Sequence, residues 1–143
     1  PVSFVAGRDD IIKTLTPGSE GSTFGGYPLA SVVGVYAVKT IIDQNLAHNA
    51  RIRGAQLMQH YAGLKDEFPD KIKDIRGKGL LTAFEMHNHK HLDGHTVSVE
   101  LLKHGVYAKE THHSTVRIAP ALTIEAWQID DLAEAIRDVI FAL

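Results

Sequence analysis

With 143 residues, 44% of them hydrophobic and 22% charged, the chain is long enough for one domain with a buried core, or for part of a larger protein. A net charge of −2 without clustered basic residues gives nucleic acid no electrostatic footprint, and no apolar run reaches the roughly 20 residues that cross a bilayer. Zero cysteines exclude disulfides and thiolate chemistry, which fits a reducing compartment: the cytoplasm, or the mitochondrial matrix in a eukaryote.

Pro1-Val2-Ser3-Phe4-Val5-Ala6-Gly7 is predicted as a strand running into a turn. A chain that opens inside a strand is expected to be cut from something longer. Residues 8–27 hold Pro17, Gly18, Gly21, Gly25 and Gly26 and read as a loop, with one helical turn at 9–15. Pro28 suits the first turn of a helix, where its missing N–H costs nothing. Over 29–42 the apolar residues Leu29, Val32, Val35, Tyr36, Ile41 and Ile42, with Val33 and Val38, cover nearly the whole circumference. That predicts a helix buried on most sides.

Leu46, Ala50, Gly54, Leu57, Tyr61, Leu64 and Phe68 recur at spacings of four and three, the mark of one face of a long surface helix over 46–68. Pro69-Asp70 ends it. The change of helix character sets the expected domains at 1–45 and 46–143. Residues 71–76 and 80–86 are predicted strands joined by Gly77-Lys78-Gly79, and 87–95 a polar loop. A short helix over 96–104 stops at Gly105. Residues 106–109 and 115–119 are predicted strands, and Thr123 is the expected N-cap of a last helix. The stripe of that helix is Ile129, Leu132, Ala133, Ile136, Val139 and Ile140. The fold class is α/β, with a short, mostly antiparallel sheet and covering helices.

Three places could carry chemistry. In Gly21-Ser22-Thr23-Phe24-Gly25-Gly26 the glycines let amides approach a ligand, Ser22 and Thr23 add hydroxyl donors, and a helix N-terminus follows. The same residues also make an ordinary glycine-rich loop before a helix. Arg117 lies on a strand with Val116 and Ile118 facing the other way, and a guanidinium suits bidentate carboxylate binding. The plainer reading is a surface arginine. His87, His89 and His91 alternate, with His95 close behind, which allows a metal site. Asn88, Lys90 and Asp93 make the same stretch read as a solvated loop, and no metal ligand is assigned. His112 and His113 either line the Arg117 site or form an idle turn. Arg76-Gly77-Lys78-Gly79-Leu80 has the look of a phosphate nest, but a turn between strands accounts for both glycines.

Taken in order, Gly21-Ser22-Thr23-Phe24-Gly25-Gly26-x-Pro28-Leu29, Arg76-Gly77-Lys78-Gly79-Leu80-Leu81 and Arg117-x-Ala119-Pro120-x-Leu122 resemble the class III, pyridoxal-phosphate-dependent aminotransferases. The segment Ala108-Lys109-Glu110-Thr111-His112 is similar to the ornithine branch of that class. The resemblance covers essentially the whole chain. It implies fold type I, with 1–45 as the end of the large cofactor domain and 46–143 as the small C-terminal domain. It implies a homodimer that takes an amino acid and a 2-oxo acid, with pyridoxal 5'-phosphate as cofactor. Ser22 and Thr23 would bind the cofactor phosphate across the dimer interface, and Arg117 the substrate carboxylate. The family carries Asn where Tyr27 stands. Its Schiff-base lysine has no match among the lysines of this chain, so no catalytic residue is assigned and the chain alone is expected to be inert. Acetylornithine or 4-aminobutyrate as donor, and a non-catalytic binding or dimerisation module of the same fold, stay open as alternatives.

Overall fold

A computed structural model of the chain describes residues 2–87 and 92–143. The helices are α1 (Asp9–Ile12), α2 (Pro28–Asp43), α3 (Leu46–Glu67), α4 (Gly94–Lys103) and α5 (Ala126–Ala142). The strands are β1 (Ile72–Lys78), β2 (Leu81–Met86), β3 (Lys109–Thr111) and β4 (Thr115–Ile118). The chain divides into two units, Pro1–Gln44 and Asn45–Leu143.

In the first unit α1 falls inside the helical turn expected at 9–15, and α2 begins at Pro28. Two expectations fail here. Residues 2–7 form no strand, because a strand needs a partner ladder and the unit contains none among its described residues. The second concerns α2, which buries no residue: Val35, Tyr36 and Ile42 are more than 60% exposed. Apolarity around a helix records what it needs to pack against. The four residues of α1 and irregular chain are all this unit supplies.

The second unit is built on an antiparallel sheet of order β1-β2-β4-β3. Alternation along the strands separates its faces. Ile75, Phe84 and Val116 stand in register on one face, with Thr82 beside Ile118. That face meets α3 and α4, and α5 packs on both helices. The stripe read along 46–68 is the stripe that packs: Leu46, Gly54, Leu57, Tyr61, Leu64 and Phe68 are buried. All six stripe residues of α5 are buried too. Each fully buried Leu, Ile or Phe side chain contributes about 1.5–3 kcal/mol.

Element ends moved where turn chemistry was misread. The β1–β2 turn is tighter than the glycine triplet suggested: Gly77 is within β1, Lys78 pairs with Leu81, and only Gly79 (φ +57°) and Leu80 turn. Residues 106–108 are not strand, since Val106 N–H is held by Leu101 O at 2.9 Å in the helix exit. α4 starts earlier than 96 because the Asp93 carboxylate caps it, accepting from Thr96 N–H at 2.7 Å. Thr123 is not the cap of α5. Glu125 and Gln128 form a reciprocal capping box there instead.

Candidate active site

The loop of the first unit is shaped by close backbone contacts. Gly25 N–H donates to Ser22 O at 3.1 Å, and a Cβ on Gly25 would stand 3.2 Å from that oxygen. Gly26 turns at φ +73°, where side chains are strained. The chain then enters α2 through Tyr27, which as N-cap offers no side-chain acceptor. The first helical bond runs from Ser31 N–H to Tyr27 O at 2.9 Å, so the Leu29 and Ala30 amides remain open. The Ser22 and Thr23 hydroxyls make no hydrogen bond among the described residues. Ser22 also lines a concavity of about 720 Å³ with Phe24, Gly25, Tyr27 and Leu29; Thr23 does not. Two free hydroxyls before an uncapped helix N-terminus suit a phosphate.

Arg117 belongs to the second unit, on the sheet face turned away from α3 and α4. One row of that face reads Arg76, Ala83, Arg117 and Lys109 across the four strands. The next reads Asp74, Glu85, Thr115 and Thr111. Arg76 is neutralised: it donates to Asp74 at 2.8 Å, to Glu85 at 3.0 Å and to Thr115 Oγ1 at 3.3 Å. Lys73 and then Arg76 hold the Glu85 carboxyl below the usual carboxylate range. Arg117 is exposed and has no ion pair or side-chain hydrogen bond among the described residues. Small Ala83 separates the two guanidinium groups, which leaves Arg117 space for a carboxylate.

Sequence reading missed what fixes this strand. Asn49 on α3 donates to Leu122 O at 2.7 Å and Ile124 O at 3.0 Å, pinning the segment that follows Arg117. Beneath the sheet, Tyr61 Oη meets Thr82 Oγ1 at 3.2 Å, and that hydroxyl donates to Ile118 O at 3.1 Å. Burial pushes the Tyr61 phenol up. No sequence signal marks Asn49 or Thr82, because both act on residues far along the chain. His112 (φ 54°) and His113 (φ 63°) are exposed at the tip of the β3–β4 hairpin. His89 and His91 lie outside the described residues. Among the described residues no group of three or more His, Asp and Glu could hold a metal ion, and no helix is long and apolar enough to cross a membrane.

The family pattern described as Aminotransferase class-III matches residues 1–140. This chain belongs to the class-III aminotransferases. Among curated class-III relatives, "Ornithine aminotransferase, mitochondrial" of Oryza sativa is 35% identical over 142 residues, 98% of this chain and 30% of its own length. "Ornithine aminotransferase" of Staphylococcus carnosus is 37% identical over 139 residues, 97% of this chain and 33% of its own. Of solved structures, Plasmodium falciparum ornithine delta-aminotransferase superposes with a TM-score of 0.81 at 34% identity, covering 94% of this chain and 34% of that one. Acetylornithine aminotransferase of Elizabethkingia anophelis gives 0.84 at 32% identity, covering 94% and 33%. The chain therefore spans about a third of the length of these class-III proteins. The fold is that of the type I class-III transferases, with the small antiparallel sheet described above.

Proposed function

We propose that this chain is the C-terminal portion of a pyridoxal-phosphate-dependent ornithine aminotransferase, which converts L-ornithine and 2-oxoglutarate to glutamate semialdehyde and glutamate. In this reading the unit Pro1–Gln44 is the end of the cofactor domain, and Asn45–Leu143 is the small domain. The intact enzyme is a homodimer of the cytoplasm or the mitochondrial matrix, and the apolar surface of α2 is covered within it.

Arg117 carries the reading: the fold neutralises Arg76 in the same row and leaves Arg117 open. Pyridoxal phosphate, when bound, supplies the electron sink for the carbon that bears the reacting amine. Ser22 and Thr23 would hold its phosphate, with the amides of Leu29 and Ala30 adding favourable potential. Arg117 would grip a substrate carboxylate by two parallel N–H bonds, so that the distant amine of ornithine or the keto carbon of 2-oxoglutarate is presented in a fixed orientation. This chain supplies the anion contacts. The lysine that links cofactor and protein belongs to the remainder of the enzyme, and the 143 residues alone are inert.

The likeness to acetylornithine aminotransferase keeps that donor as the second reading. Steady-state assays of the intact enzyme with ornithine, acetylornithine and 4-aminobutyrate separate them, and ornithine is expected to give the highest kcat/KM. Arg117→Met should raise KM for 2-oxoglutarate by roughly ten- to hundredfold, the scale of a lost charge-assisted pair. An unchanged KM would remove Arg117 from the site. Absence of any transamination would leave the non-catalytic module.

A further inference from the structure

Arg117 is placed by its backbone, since no side-chain hydrogen bond or ion pair orients it among the described residues. Glu85, diagonal to it on β2, is engaged by Lys73 at 2.6 Å and Arg76 at 3.0 Å. That backbone is close to the end of its support. β4 runs four residues, its pairing with β3 ends at Lys109 and Arg117, and its pairing with β2 ends at Thr82 and Ile118. Pro120, two residues farther on, has no N–H to extend the ladder.

A buried polar chain holds this strand end from beneath. Thr82 is 2% exposed and Tyr61 1%, and Thr82 stands in register with Ile118. The single proton of the Thr82 hydroxyl goes to Ile118 O at 3.1 Å. The 3.2 Å bond between Tyr61 Oη and Thr82 Oγ1 is therefore donated by the tyrosine. Burial pushes the phenol up, so it keeps that proton. Valine, of the same shape as threonine, would fill this place with no polar group to satisfy. What the hydroxyl adds is a bond to one carbonyl, that of the residue after Arg117.

We propose that Thr82, backed by Tyr61, is a positioning residue of the Arg117 site: it fixes the end of β4 so that the guanidinium meets a carboxylate already ordered. This rests on the reading of Arg117 as a carboxylate anchor. A frayed strand end spreads the guanidinium over several positions, and substrate binding must then offset the cost of ordering it. The loss belongs to binding and not to the chemical step, so it falls on KM.

The test is the intact enzyme carrying Tyr61→Phe with Thr82→Val. Exchanging both partners for apolar groups of like shape leaves no buried hydroxyl unpaired, so Tm should stay near that of the unsubstituted enzyme. KM for 2-oxoglutarate should rise about three- to tenfold, the scale of one hydrogen bond, with kcat and cofactor occupancy unchanged. Amide exchange at 117–119 should quicken. Tyr61→Phe with Thr82→Ser keeps the donor to Ile118 O and should restore KM. In an Arg117→Met background the valine pair should change KM no further. Thr82→Val alone should raise KM equally while lowering Tm, because the Tyr61 hydroxyl is left buried and unpaired, and it supplies the KM reading if the pair does not fold. An unchanged KM in the valine variants, with Arg117→Met still raising it, overturns the positioning role alone. An unchanged KM in Arg117→Met overturns the Arg117 reading and this one with it.

Discussion

Two glycines and a histidine show how tightly single positions are set. A Cβ on Gly54 of α3 would stand 2.1 Å from Gly79 O and 2.7 Å from Gly79 Cα, backbone against backbone. Neither side can rotate away, so Gly54→Ala should cost about 3 kcal/mol, the upper range of overpacking. Urea unfolding measures it, and a loss below 1 kcal/mol would mean that α3 rides farther from the turn than described. His113 turns at φ 63°, and Ser114 N–H donates to His112 O at 2.7 Å across it. That is a γ-turn of the rare positive-φ hand. His113→Gly should therefore stabilise the unit by about 1 kcal/mol, read as a higher Tm. A lower Tm would show that the imidazole itself is needed. Spacing alone placed Gly54 on the buried stripe of α3. Its contact with Gly79 was not legible, because it joins positions that only the packed helix and hairpin bring together.

Among the elements, α3, α5 and the β1–β2 hairpin follow from periodicity, since burial sets a repeat along the chain that a reader can count. Starts and stops are set by individual hydrogen bonds, and these were read less well. Asp93, not Thr96, starts α4, and Glu125, not Thr123, starts α5. The segment between β4 and α5 has no repeat at all, and Asn49 of α3 holds it by two bonds to its carbonyls. Asn49→Ala leaves both carbonyls without that donor. We expect a loss of about 1–2 kcal/mol and faster amide exchange at 119–125. Unaltered exchange would show that Ile118 and the capping box of α5 hold the segment without help. For α2, apolarity was legible and its partner was not: what covers Val35, Tyr36 and Ile42 is not encoded in the pattern that makes them apolar.

Across the whole molecule, stability is tied to acid through carboxyls held below their usual range; among the described residues there are five, the first being Asp10, lowered by Arg8. Arg137 lowers Glu67, Lys73 and then Arg76 lower Glu85, the Thr96 amide lowers Asp93, and His60 and then Gln56 lower Asp130. A carboxyl depressed in the folded state binds protons first in the unfolded chain. Its contribution is present above the unfolded value of about 4 and is lost as pH falls through the lower folded value. Thermal melts should show Tm nearly flat around neutrality and falling below about pH 4. A Tm that holds through that range would mean these contacts do not persist in solution.

At this scale too, the class-III family was legible as ordered motifs, while the freedom of Arg117 was not. It depends on which of two arginines in one row the acids Asp74 and Glu85 neutralise. The central proposal is that, in the intact enzyme, Ser22 and Thr23 hold the phosphate of pyridoxal phosphate and Arg117 holds a substrate carboxylate. A crystal structure of the intact dimeric enzyme with pyridoxal phosphate and a dicarboxylate analogue tests it directly. The account expects both hydroxyls within about 3.2 Å of the cofactor phosphate and the Arg117 guanidinium paired with an analogue carboxylate in the same cavity. A phosphate held wholly by other residues, or an Arg117 facing solvent while the analogue binds elsewhere, would contradict it.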